Sequence, residues 1–505
     1  MARMIRLNNI SVAYEGGQDN PSHQNALDNI SLTIEKGECI VLCGKSGCGK
    51  TTITRLLNGL IPMFYPAGLQ GEVMLMGKNT LDMTIREISQ FVGSVFQNPK
   101  SQFFNVDTTG ELAFGCENQD LSRDAIHHRL KQSVQDFSLE KLINRDIFRL
   151  SGGEKQRIAC GSIYAMNPDI YVLDEPSSNL DLQSIGQLHN ILKQLKSQGK
   201  TIIISEHRLH YLKNLATRYI FLEDGKILNE YRPAELEAVS EADKRKMGLR
   251  TLDFDQVDSK RVAKQPLKEV AMGFQQLLVR RNKQTILKMA NLQIRKNTVL
   301  AIVGENGVGK SSLIACVMGF LNYQGDILLN GSKKNKRARQ AESFLVMQDV
   351  NSQLFARTVL DEVLLGVKSP DVKKAHAILD QLGLSDLSQR HPASLSGGQK
   401  QRLAIASAIY GQKKYLFFDE PTSGLDRQSM EAFCQLILEN REVVDVTVII
   451  THDLELILGC ADEVLLLNRD LSMDLYPLDE AGIKKTRTLF INLYEKQLQK
   501  EGLYV

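Results

Sequence analysis

The segment GKSGCGKTT (44–52) recurs as GENGVGKSS (304–312), and the repetition continues down the chain. LSGGEKQRIA (150–159) returns as LSGGQKQRLA (395–404), IYVLDEPSSNLD (170–181) as YLFFDEPTSGLD (415–426), and SEH (205–207) as ITH (450–452). Ser151 to Ser396, Glu175 to Glu420 and His207 to His452 are each separated by 245 residues, whereas Lys50 and Lys310 are 260 apart. The two halves therefore match from serine to histidine without a net insertion. Between lysine and serine the first half is longer, 101 residues against 86. The extra length falls around 63–71 and after Gln97, as insertions do when they occupy surface loops. A duplicated chain of 505 residues divides naturally into two domains of about 250 residues.

Each copy places glycines and a lysine directly after a short apolar run, CIVLC (39–43) or VLAIV (299–303), which reads as a buried parallel strand. Such a strand–glycine-loop–helix unit cradles phosphate: glycines let backbone N–H groups close around the oxygens, and the helix presents its positive end. The cradle residues are Gly44, Lys45, Ser46, Gly47, Cys48, Gly49, Lys50, Thr51 and Thr52 in the first half. In the second they are Gly304, Glu305, Asn306, Gly307, Val308, Gly309, Lys310, Ser311 and Ser312. The helices are expected over 52–60 and 312–321. Lys50 and Lys310 would reach the terminal phosphates, and Thr51 and Ser311 would ligate Mg2+. A second apolar strand ends in Asp174-Glu175 or Asp419-Glu420, where the aspartate can hold Mg2+ and the glutamate can orient and deprotonate water. His207 and His452 each follow a third apolar strand and point at the same site.

The residues Ser151, Gly152 and Gly153, repeated as Ser396, Gly397 and Gly398, open a helix and make a second anion-binding terminus. With this LSGGE/QKQR pattern the sequence resembles the ABC ATPases over nearly its whole length. The resemblance implies an α/β fold class with two tandem P-loop domains, each an α/β core with a helical subdomain carrying the signature. It also implies ATP held between the P-loop of one cassette and the signature of the other, so that the chain is an intramolecular pseudo-heterodimer. Lys50, Thr51, Asp174 and Glu175 would work with Ser396 and Gly398, and Lys310, Ser311, Asp419 and Glu420 with Ser151 and Gly153. Asp181 and Asp426 would join the two sites. Tyr14 stands where the family stacks an aromatic ring on adenine, whereas the second half has Arg280 and Arg281 near that point. Weaker ATP binding at the second P-loop is expected, because a lost stacked ring costs on the order of 1–3 kcal/mol. Both halves keep the catalytic set, so two hydrolytic sites are expected.

FQNPKSQFF (96–104), with Thr109 and AFG (113–115) beyond it, resembles the Q-loop region of energy-coupling factor (ECF) importer ATPases. Its counterpart MQDVNSQLFARTV (347–359) keeps Gln348, Gln353 and Phe355. By that resemblance Gln97 and Gln348 would contact Mg2+ and the attacking water. Phe103, Phe104 and Phe355 would either line a groove for a partner's coupling helices or fill the helical subdomain. The partners implied are a transmembrane coupling subunit and a substrate-capturing membrane subunit, with this chain peripheral at the cytoplasmic face and the cargo a vitamin or a metal ion. The rival class is a soluble, non-transport tandem ABC ATPase acting on ribosomes or nucleic acid. Such proteins carry longer charged linkers, coiled coils or zinc modules than are visible here.

Bulk properties agree with this reading. No run approaches the roughly 18 apolar residues that span a bilayer. A net charge of +3 gives no sign of a nucleic-acid surface, and no nucleic-acid partner is expected. The basic cluster KKNKRAR (333–339) reads as a solvated loop after a strand. The eight cysteines show no CxxC spacing and read as buried thiols. The domains are expected at 1–235 and 266–505, joined by a charged connection over 236–265.

Overall fold

The computed structural model describes residues 3–14, 25–178, 180–257, 259, 267–281 and 284–500. They form two compact units, Met1–Leu252 with Tyr494–Val505, and Asp253–Leu493.

Alternation of apolar and polar residues builds the first sheet of the first unit. Strands Arg3–Tyr14 and Leu27–Glu35 pair antiparallel, and Ala67–Leu75 adds on the other side of Arg3–Tyr14. Ile5, Leu7, Ile10 and Val12 turn inward against Ile40, Leu42, Ile203 and Ile220. Those partners belong to the central sheet, whose inner strands are buried on both faces and therefore largely apolar. Its order is Lys226–Tyr231, Arg218–Glu223, Cys39–Cys43, Thr201–Ser205, Ile170–Asp174, Val92–Val95, parallel except at the Lys226–Tyr231 edge. The three strands that carry function, ending at Cys43, Asp174 and Ser205, are direct neighbours. Their C-terminal ends lie on one edge, the place where open parallel sheets bind ligands. Helices Thr108–Asn118, Arg123–Asp136 and Gly152–Met166 pack together as the helical part.

The second unit repeats this plan. Its central sheet runs Ser343–Val346, Tyr415–Asp419, Val446–Ile450, Thr298–Val303, Glu463–Leu467, Met473–Pro477, antiparallel only at the last pair. Strands Val270–Arg281, Gln284–Arg295 and Gln324–Leu329 form its antiparallel sheet, and Val359–Leu364, Val372–Gln381 and Gly397–Tyr410 its helical part. The α/β class with two tandem domains holds. The helices after the glycine loops run Lys50–Leu57 and Lys310–Val317, starting earlier than expected and ending earlier because Gly59 and Gly319, both at positive φ, close them.

The basic cluster at 333–339 is not a solvated loop. Lys333 closes a strand pair and bonds Asp326 at 2.5 Å, Lys334 pairs with Glu342, and helix Lys336–Glu342 begins two residues later. Arg339 is only 7% exposed, donating to the Cys316 carbonyl at 3.1 Å and to the Tyr323 hydroxyl at 2.9 Å. Within the charged stretch 236–265, Leu236, Leu249 and Leu252 join the core of the first unit, with short helices at Pro233–Ala238 and Glu241–Lys246, while 258 and 260–265 lie outside the described residues. Among the described residues, no helix is long and apolar enough to cross a membrane.

Candidate functional site

The glycine loops close the ends of strands Cys39–Cys43 and Thr298–Val303. Gly44 has φ +141°, and a Cβ there would overlap the Leu222 carbonyl oxygen, so the chain turns beneath the neighbouring strand only because that residue is glycine. The Lys50 ammonium folds back over the loop and donates to the carbonyls of Gly44 (3.0 Å) and Lys45 (2.9 Å). Lys310 does the same with Gly304 (2.6 Å) and Glu305 (3.0 Å). Cys48 and Val308 pack inward as the apolar anchors of the loops. The loop edges differ in charge: Lys45 pairs with Glu223 at 2.8 Å, whereas Glu305 pairs with Arg469 at 2.5 Å.

The acidic pair comes next. The Thr51 hydroxyl donates to Asp174 Oδ1 at 3.3 Å, and the Ser311 hydroxyl to Asp419 Oδ2 at 2.7 Å. Burial, with the neighbouring Glu175 charge second, pushes the Asp174 carboxyl up to about 6. Burial also raises Asp419. A hydroxyl and a desolvated carboxylate facing one another beside a lysine form a hard-oxygen donor set that fits Mg2+ on a phosphate. Glu175 and Glu420 both sit in the left-handed region, at φ 44° and 52°, a conformation that costs a non-glycine residue energy and clusters at working sites. Their backbone N–H groups donate to the next strand, at Ser205 O (2.8 Å) and Ile450 O (2.9 Å).

Around Glu175 the expected residues converge. Gln97 Nε2 donates to Glu175 Oε2 at 2.7 Å, and His207 Nε2 lies 3.5 Å from Oε1. Burial alone would raise the Glu175 carboxyl, but the hydrogen bond and charge of His207 and the field of Lys50 hold it below its ordinary range. In the second unit His452 Nε2 lies 3.6 Å from Glu420 Oε1, and Gln348 is exposed. The Tyr14 hydroxyl lies 3.2 Å from Thr52 Oγ1 and receives a bond from Arg55 at 3.4 Å, which fixes the ring beside the loop. Asn9 and Gln276 share a left-handed kink in corresponding strands, and counting on from them sets Arg281 where Tyr14 stands.

The signature serines cap separate helices. Ser151 accepts from Glu154 N and Ser396 from Gln399 N, each at 3.3 Å, and the side chains of Glu154 and Gln399 return the bond to the serine N–H. This capping box is worth about 1 kcal/mol, and glutamate serves it as glutamine does. Gly152 and Gly397 open the helices, and a Cβ on Gly153 would collide with Ser184. Asp181 and Asp426 cap the following helices through Ser184 N (2.8 Å) and Ser429 N (2.7 Å).

Beyond Gln97, Phe103 is half-buried in the core, but Phe104 is 75% exposed, stacked on Phe114 at 4.9 Å, and Phe355 is 78% exposed. Sequence reasoning missed the buried glutamates that present these rings. Glu111 accepts from Phe104 N (3.0 Å) and Asn105 N (2.9 Å), and Glu362 from Phe355 N (2.8 Å) and Ala356 N (2.7 Å). The signal was available, a glutamate seven residues after each exposed phenylalanine.

The ABC transporter family model matches residues 27–178 and 287–423. A chain of Treponema denticola, named provisionally as an ABC transporter ATP-binding protein, is 42% identical over 92% of this chain and 95% of its own length. YkoD of Bacillus subtilis, named provisionally as an HMP/thiamine import ATP-binding protein, is 31% identical over 92% of this chain and 90% of its own. The solved archaeal ribosome recycling factor aABCE1, in complex with the stalk protein aP1, superposes with a TM-score of 0.62 at 19% identity, covering 95% of this chain and 92% of that one; this likeness is one of fold. With both halves matched, the chain belongs to the ABC transporter family of ATP-hydrolysing proteins and carries the family's domain twice.

Proposed function

We propose that this chain binds two ATP molecules and, by hydrolysing them, energises import of a micronutrient through a separate ECF-type membrane complex. The observation that carries the reading is the duplicated cluster: lysine, hydroxyl, aspartate, glutamate and histidine converge at the sheet edge of each unit. Lys50 and Lys310 exchange their loop carbonyls for phosphate oxygens. Thr51 with Asp174, and Ser311 with Asp419, would hold Mg2+, which would neutralise phosphate charge. Glu175 and Glu420 accept the proton of the attacking water, each oriented by its histidine, and Gln97 and Gln348 report the state of the site to the partner. Tyr14 stacks on adenine. Ser151, Gly152 and Gly153, and likewise Ser396, Gly397 and Gly398, supply signature helix N-termini for nucleotide binding. The cassettes are assigned to 1–235 and 266–505, connected by 236–265, whose Leu236, Leu249 and Leu252 pack into the core of the first.

Phe104 and Phe355, exposed beside the Q-loops, supply the apolar contact for coupling helices of a transmembrane subunit. The name of YkoD supports a vitamin or a vitamin precursor as cargo. The chain then works peripherally at the cytoplasmic face, alongside a coupling subunit and a substrate-capturing subunit. Affinity capture of the tagged chain from detergent-solubilised membranes tests this. Recovery of small membrane proteins, lost in F104S/F355S, is the expected result; recovery of ribosomes or nucleic acid instead contradicts it.

A further inference from the structure

His207 and His452 are held in different ways, and the difference is chemical. In the second unit His452 lies between Thr451 and Asp453, all three buried. Asp453 Oδ2 accepts from the Thr422 hydroxyl at 2.8 Å, its Oδ1 accepts from Leu456 N at 3.2 Å, and Thr451 Oγ1 accepts from Asp453 N at 3.1 Å. Asp453 thus ties the histidine loop to the loop that follows Glu420. The His452 backbone N–H donates to Glu420 itself, at 3.3 Å.

In the first unit the position matching Asp453 is Arg208, which cannot accept. The acid has moved two residues back, to Glu206, where the second unit has threonine. Glu206 is 2% exposed and accepts four hydrogen bonds. Its Oε1 takes Ser177 N (3.1 Å) and the Tyr211 hydroxyl (2.8 Å), and its Oε2 takes His207 N (2.7 Å) and Arg208 N (3.1 Å). Arg208 grips the same neighbouring loop from its acceptor side, donating to Ser177 O (3.4 Å) and Leu180 O (3.1 Å). Ser177 corresponds to Thr422, so both units fasten the same two loops together with an acid drawn from different positions. In capturing the His207 N–H, Glu206 also takes the donor that in the second unit bonds the glutamate.

We propose that Glu206 is the positioning residue of the first unit's hydrolytic site. It fixes the loop of His207 against the loop after Glu175, and so sets the ring of His207 on the Glu175 carboxylate. A buried acceptor of four donors cannot be replaced by a group of mixed polarity without turning one donor against another. Displacement of a catalytic group by about 1 Å can cost on the order of a hundredfold in rate. The inference rests on Glu175 and Glu420 being the catalytic carboxylates, and the controls separate the two claims.

The test is single-turnover hydrolysis of bound ATP by the full chain, with ATP affinity measured alongside. E206Q is placed in two backgrounds, E420Q, which leaves the first site, and E175Q, which leaves the second. In the E420Q background E206Q lowers the cleavage rate by about 10- to 100-fold with ATP affinity within twofold; in the E175Q background it changes neither by more than twofold. The transplant S177T/E206T/R208D/Y211L, which installs the second unit's residues, returns the first-site rate to within threefold. An unchanged rate for E206Q in the E420Q background overturns the proposal. So does an equal loss in both backgrounds, the mark of a merely structural role, or a transplant that binds ATP normally and stays as slow as E206Q. If E175Q and E420Q together leave hydrolysis intact, the catalytic assignment has failed, and not the role of Glu206 alone.

Discussion

Alanine at Gly44 and at Gly47 separates two costs within one loop. At Gly47 φ is +84° and a Cβ meets nothing within 4 Å, so the penalty is the left-handed backbone alone, about 1–2 kcal/mol. At Gly44 φ is +141°, and the same atom overlaps the Leu222 carbonyl oxygen and stands 2.9 Å from Cys48 Sγ. Strand Arg218–Glu223 cannot retreat, because it is paired on both sides, with Cys39–Cys43 and Lys226–Tyr231. The cost then reaches the range of severe core changes, above about 4 kcal/mol. For a unit of this size each kcal/mol shifts the melting temperature by about 2–4 °C. G47A should lower the transition of the first unit by about 2–8 °C, and G44A by at least about 8–16 °C. Differential scanning calorimetry reads both. Gly304 and Gly307 provide a replicate in the second unit, since Cβ on Gly304 overlaps the Leu467 carbonyl and on Gly307 meets nothing. Equal losses for G44A and G47A would refute the claim that the loop is threaded beneath the strand end.

Three further outcomes follow from the same geometry. Asp174 has its folded pKa raised to about 6, above its unfolded value, so its buried charge costs stability above pH 6, and that cost fades as pH falls toward 4. D174N should therefore raise the melting temperature of the nucleotide-free chain at pH 8 and change it little at pH 4; a gain independent of pH contradicts the assignment. Burial pushes the thiols of Cys39, Cys43 and Cys160 up to about 12, and all eight cysteines are buried. Iodoacetamide at pH 8 should label none of them in the native chain within minutes and all of them in urea, as read by mass spectrometry. Tyr14→Ala, measured in the K310A chain, should weaken ATP binding by about 5- to 150-fold with little change in stability, the equivalent of a lost stacking contact.

Much of this site was legible in the sequence because spacing and residue type carry it. Lys50, Asp174 and His207 follow three apolar strands, and adjacent parallel strands necessarily bring their ends together. The doubled register made the same inference for Lys310, Asp419 and His452. What could not be read depends on backbone geometry or on long-range packing. The left-handed φ of Glu175 and Glu420 arises where each leaves its strand while its N–H still bonds the next one. Arg339 looked like one more charge in a basic run; its burial depends on Cys316 and Tyr323, which the fold brings beneath it. Leu236, Leu249 and Leu252 were too sparse among charges to announce a core contact. The exchange of acid between Glu206 and Asp453 was visible only as the change from SEH followed by Arg208 to ITH followed by Asp453, and its meaning required the hydrogen bonds.

The central claim is that both copies of the site hold ATP and that they differ. Equilibrium titration of ATP with Mg2+ into the full chain carrying E175Q and E420Q tests it directly. The account predicts two ATP per chain with unequal affinities. One remains in K50A and one in K310A, and the weaker of the two is the one left in K50A. A single ATP per chain, or identical affinities in the two lysine variants, would contradict it.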